Sequence, residues 1–149
     1  MTKAERAREL FLEGCNCAQA VFLAFAEEKL DRETALKIAS GFGGGMAGMR
    51  DVCGAVSGMT MTLSYKFACT DPNDRQRKAA LYALIQRAAG EFKAETGSIV
   101  CRELLGLGGS SAPVPEQRTE TYYKKRPCGE LVRLAADITE KYIKNGGEI

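Results

Sequence analysis

Asp51-Val52-Cys53-Gly54-Ala55-Val56-Ser57-Gly58-Met59-Thr60-Met61-Thr62-Leu63-Ser64-Tyr65-Lys66-Phe67 carries no charge between its first residue and Lys66. The length and apolar content of this run predict a buried central helix from about Val52 to Phe67. Asp51 is a favoured N-cap residue, which places Cys53 in the first turn. A helix N-terminus carries unpaired N–H groups and partial positive charge, a setting that lowers a thiol pKa. Gly54 and Gly58 stand four apart on one face, where another backbone can approach closely.

The chain on either side reads as helix after helix. Thr2 caps a helix from Lys3 to about Glu13, with Ala4, Ala7, Leu10 and Phe11 on one face. Asn16 caps a second, from Cys17 to about Leu30, and Asp31 a third, through Ile38. Ser40 to Gly48 is glycine-rich and reads as loop or distorted helix. Asp71-Pro72-Asn73-Asp74 starts a long helix from Arg75 to about Thr96, with a stripe of Ala79, Tyr82, Ala83, Ile85, Gln86, Ala89 and Phe92. Ser98 caps a short helix from Ile99 to Leu105, followed by a Gly/Ser/Pro loop from Leu107 to Pro115 and a polar segment from Arg118 to Lys125. Pro127 opens the last helix, which runs to about Lys144. No segment alternates with the period of a strand. The expectation is an all-α bundle of six to seven helices in a single domain spanning 1–149.

Composition removes several classes of function. A net charge of +2 gives no electrostatic case for nucleic acid or an anionic membrane surface. No apolar run approaches the roughly 20 residues that cross a bilayer, and Met1 to Leu10 lacks the apolar core of a signal peptide. A cytoplasmic location, where thiols are kept reduced, is the expectation. The chain contains no histidine, so a Cys–His or Ser–His nucleophile pair, an imidazole zinc ligand and an axial haem histidine are all excluded.

Six cysteines is a high count for such a chain, and four of them share a local setting. Cys17 follows the cap Asn16, Cys53 and Cys101 lie two and three residues after the expected caps Asp51 and Ser98, and Cys128 follows Pro127. Each would present a thiol from the first turn of a different helix. Cys15 lies in a turn and Cys69 follows a helix end, where the dipole opposes a thiolate. No C-x-x-C occurs; Cys15-Asn16-Cys17 is a C-x-C pair.

Two weaker signals lie nearby. Gly43-Gly44-Gly45-Met46-Ala47-Gly48 satisfies G-x-G-x-x-G, but a helical pattern precedes it where a dinucleotide site needs a strand. Flexible backbone beside a helix start, with Arg50 adjacent, could hold an anion or a substrate carboxylate; the favoured reading is a close crossing of the chain over another helix. Met46, Met49, Met59 and Met61 cluster around Cys53 and read as core filling in preference to a copper(I) site.

Gly14-Cys15-Asn16-Cys17-Ala18-Gln19-Ala20-Val21, the glycine-rich stretch, Cys53-Gly54-Ala55-Val56-Ser57-Gly58, Cys101-Arg102-Glu103-Leu104 and Arg126-Pro127-Cys128 together resemble the C-GCAxxG-C-C family of bacterial and archaeal proteins. The resemblance covers nearly the whole chain and implies redox activity. It maps the family's four cysteines onto Cys17, Cys53, Cys101 and Cys128, with Gly54, Ala55 and Gly58 completing the C-G-A-x-x-G motif. Cys15 and Cys69 lie outside that set. The family's helical fold is similar to that of split-Soret cytochromes, but no haem-attachment motif is present here.

Three readings fit these residues. In the first, Cys17, Cys53, Cys101 and Cys128 converge and cycle between dithiol and disulfide with a small-molecule or protein redox partner; any catalysis would be thiol–disulfide exchange. In the second, the same four thiolates hold zinc or an iron–sulfur cluster. In the third, they are inert buried residues of a structural or interaction protein. A glycine-lined helix face is compatible with self-pairing, and a symmetric homodimer is the commonest assembly.

Overall fold

The computed structural model describes residues 1–147. The fold is all-α, with eight helices among the described residues: α1 (Lys3–Leu12), α2 (Cys17–Ala26), α3 (Arg32–Ala39), α4 (Gly54–Phe67), α5 (Arg75–Thr96), α6 (Cys101–Leu105), α7 (Glu120–Lys125) and α8 (Cys128–Lys144). The polar segment before Pro127 supplies α7, which lies beyond the six or seven helices expected. No described helix is long and apolar enough to cross a membrane.

Local signals set most helix starts. Thr2 and Asn16 each form a reciprocal capping box, with Glu5 and Gln19, and Asp31 and Asp74 accept from the N–H groups of Thr34 and Arg77. Gly97 and Gly106 end α5 and α6 in the left-handed conformation.

Two starts differ from expectation. Asp51 does not cap α4: that helix begins at Gly54, and Cys53 is its N-cap. Ser98 does not cap α6, which begins at Cys101 after Val100. The reason is a tertiary pairing. Val52 and Val100 form an isolated antiparallel bridge, in which Cys53 N–H donates to the Ile99 carbonyl (2.8 Å) and Cys101 N–H to the Asp51 carbonyl (2.6 Å). Both segments stay extended until the bridge is complete. Asp51 instead pairs with Arg102 (3.0 Å), and Ser98 Oγ accepts from the Val100 N–H (2.9 Å).

α2 packs against α1, α3, α4 and α8, and it is the most enclosed helix, with Ala18, Ala20, Val21, Phe22, Leu23, Ala24 and Ala26 all buried. α4 is buried along one side only: Val56, Met59 and Leu63 face inward, whereas Tyr65 is 52% exposed. A lack of charge therefore did not mean full burial, because Ser57, Thr60 and Ser64 take the wetter side. On α5 the buried stripe is Leu84, Ala88 and Phe92, and Tyr82 is exposed. That stripe is displaced from the expected one because α4 and α8 cover only the C-terminal half of α5.

Gly58 fixes the distance between α2 and α4. A Cβ built there would lie 2.7 Å from the Ala18 carbonyl oxygen and 2.8 Å from Val21 Cβ. At the helix start, a Cβ on Gly54 would lie 3.0 Å from Cys17 Cβ. The helices thus meet backbone to backbone, and the thiol carried in beside Cys53 is that of Cys17. Between α3 and α4 the chain makes a 3-10 turn (Ser40–Phe42), then takes positive φ at Gly44, Gly45, Met46, Ala47 and Gly48 in succession, and again at Arg50. Bonds from the N–H groups of Ala47, Gly48, Arg50 and Asp51 to the carbonyls of Gly41, Gly43, Gly44 and Gly45 hold this left-handed run.

Gly58→Ala is expected to destabilise the fold by about 1–3 kcal/mol, because the opposing group is backbone. Gly90, exposed on α5 with nothing within 4 Å of an added Cβ, should show the opposite sign: Gly90→Ala gains about 0.5–1 kcal/mol. Urea denaturation of the two variants measures both.

Candidate functional site

A cavity of about 380 Å³ opens where the starts of α2, α4, α6 and α8 meet the glycine-rich loop, and Cys17, Cys53, Cys101 and Cys128 all line it. Each helix start is held by a different device. Asn16 Nδ2 donates to the Ser40 carbonyl (3.1 Å) and Gln19 Nε2 to the Leu36 carbonyl (3.1 Å), which ties the capping box of α2 to α3. The Val52–Val100 bridge sets Cys53 and Cys101 on adjoining segments. Gly45 packs so tightly on Cys101 that a Cβ there would lie 2.6 Å from Cys101 Cβ. Pro127 precedes Cys128, the first residue of α8.

The four thiols are chemically unequal. The Cys17 and Cys128 thiols, at the starts of α2 and α8, act on each other more strongly than any other group acts on either. That interaction, with the nearby guanidinium groups of Arg126, Arg118 and Arg50, holds the Cys128 pKa down at about 7 against the burial that opposes it. Cys17 is pushed well above the usual thiol range by the same interaction and by burial. Burial drives Cys53 up to about 12, although the N–H groups of Ala55 and Val56 offset part of this. The activation expected at Cys53 therefore falls on Cys128: desolvation outweighs the helix terminus where the thiol is enclosed. Cys101 Sγ accepts from Arg50 Nη1 at 3.6 Å.

Among the described residues, no group of three or more Cys, Asp or Glu side chains is placed to share one metal ion. The four-thiolate zinc or iron–sulfur site is not assembled in this arrangement. Cys17 and Cys128 engage each other, Cys53 is withdrawn into the wall, and Cys101 faces a guanidinium whose charge repels a cation.

Cys15 and Cys69 stand apart from the cavity lining. Cys15 is buried, and its carbonyl accepts from Arg118. Cys69 follows the far end of α4, its sulfur 3.4 Å from the Asp71 backbone nitrogen.

Sequence reasoning did not place Arg118, Tyr122 and Arg126 at the site. Arg118 stacks on the Phe11 ring (4.1 Å) and donates to the carbonyls of Phe11 and Cys15 (2.5 and 2.7 Å), which anchors the segment before α7 to the turn between α1 and α2. Tyr122 and Arg126 flank it, and Arg126 pairs with Glu116 (3.1 Å). The available signal was their position just ahead of Pro127-Cys128.

Residues 15–142 match the family model described as "Putative redox-active protein (C_GCAxxG_C_C)". The match spans most of the chain, and the chain belongs to that family. No curated protein and no solved structure matches it.

Alkylation by iodoacetamide should single out Cys128, with a rate that titrates near pH 7, where an ordinary thiol is only a few per cent ionised. Cys17→Ala removes the neighbouring thiol that most lowers Cys128 and is expected to move that midpoint upward. Cys53 should resist the reagent across the neutral range. Peptide mapping against pH checks all three.

Proposed function

We propose that the protein is a thiol redox protein in which Cys128 is the nucleophile and Cys17 the resolving thiol. One observation carries this reading: the two thiols line the same cavity and each is the strongest influence on the other, with Cys128 the one held near neutrality. The reaction is thiol–disulfide exchange. Cys128 thiolate attacks a sulfur of a partner disulfide, one S–S bond breaks and another forms, and the first partner thiolate leaves. Cys17 then loses its proton and attacks Cys128 Sγ. The second partner thiol is released, and a Cys17–Cys128 disulfide remains. The protein gives up two electrons to the disulfide, and a dithiol reductant restores the pair by the reverse steps.

Cys53 and Cys101 enter this reading as the inner wall of the same site, their placement supported by the cavity lining and by the backbone bridge. A cytoplasmic setting follows from the need for a steady supply of reductant.

Mild oxidation with diamide followed by peptide mass mapping tests the proposal. A Cys17–Cys128 disulfide should form first, and Cys17→Ser exposed to hydroxyethyl disulfide should hold one mercaptoethanol half as a mixed disulfide on Cys128. Resistance of all four thiols until the protein unfolds would contradict it.

A further inference from the structure

We infer that the cavity accepts a small carboxylate-bearing disulfide, recognised by Arg50, Arg118 and the glycine-rich backbone beside the thiol pair. This inference names the substrate class for the thiol–disulfide exchange proposed above and rests on that reading.

Charge is the first argument. Three guanidinium groups line the cavity, from Arg50, Arg118 and Arg126, against one carboxylate, that of Glu116. Glu116 is taken by Arg126. Among the described residues, neither Arg50 nor Arg118 has a carboxylate partner. Arg50 bonds Ser111 Oγ (2.8 Å) and Cys101 Sγ, and Arg118 bonds two backbone carbonyls. Both are held by neutral groups or a thiol, which fixes their direction and leaves them without a carboxylate partner. Guanidinium groups keep further N–H donors for a planar carboxylate.

The backbone is the second argument. Gly43, Gly44 and Gly45 line the cavity, and their N–H groups have no hydrogen-bond acceptor among the described residues. Gly45 is buried, and orphaned N–H groups in such a place are uncommon. Gly43 is extended and Gly44 and Gly45 take positive φ, so these N–H groups open a left-handed turn with no preceding carbonyl to accept them, a setting that suits an anion.

Size and lining narrow the class further. A volume of about 380 Å³ lies at the small end of small-molecule sites, and Leu104, Leu105, Pro113 and Leu131 give it an apolar side for a short alkyl chain. A sulfur that reacts with Cys128 must stand beside these groups, so the ligand is a short chain with a central disulfide and a terminal carboxylate.

Three disulfides of similar length test this: dithiodipropionate, which carries two carboxylates; neutral hydroxyethyl disulfide; and cystamine, which carries two ammonium groups. Each rate with the reduced protein is divided by its rate with free dithiothreitol. Dithiodipropionate should lead hydroxyethyl disulfide by about tenfold or more, with cystamine slowest. Added salt and Arg50→Gln should both narrow that ratio. Suberate, an unreactive dicarboxylate of matching length, should protect Cys128 from iodoacetamide. Equal normalised rates, a lead for cystamine, or no protection by suberate would overturn the carboxylate inference. Protection by suberate without reaction of any disulfide would keep the carboxylate site and contradict the redox reading.

Discussion

Contact between the backbones of α2 and α4 is the constraint on which the rest depends. It requires glycine at positions 54 and 58, because any Cβ at Gly58 meets the carbonyl of Ala18. The approach has two effects. It closes the core between helices lined with alanine, where Ala18, Ala20, Ala24 and Ala55 leave no room for larger side chains. It also brings the starts of the two helices together, so that Cys17 stands beside Cys53 at the cavity wall. α8 packs on α1, α2 and α4, and from that position its first residue, Cys128, reaches Cys17.

The site converts this packing into chemistry by giving similar thiols different surroundings. All four lie at helix starts, yet only Cys128 is lowered, by the neighbouring Cys17 thiol and three nearby guanidinium groups that together outweigh its burial. Cys53 occupies an equivalent place on α4 and is held as a neutral thiol by burial. The same cations that favour the Cys128 thiolate also outnumber the one carboxylate in the cavity lining.

Much of this was legible in the sequence where local rules act. Thr2, Asn16 and Asp31 read correctly as caps because a capping side chain bonds within its own first turn. Gly54 and Gly58 read correctly as a close-approach face, and the ordered motifs identified the family. The failures trace to contacts between distant segments. Asp51 and Ser98 looked like caps, but the Val52–Val100 bridge keeps both strands extended. The stripe on α5 was misplaced because full burial on that helix falls only on Leu84, Ala88 and Phe92. Arg118 reaches the site through Phe11 and Cys15, more than a hundred residues away in sequence, and no local pattern announces such a contact.

The central claim is that Cys17 and Cys128 form one redox couple. A crystal structure of the diamide-oxidised protein tests it most directly. The account predicts continuous density between Cys17 Sγ and Cys128 Sγ at about 2.05 Å, with α2 and α8 starting where they do in the reduced fold. Separate sulfurs at these two positions, with the new disulfide elsewhere, would contradict it.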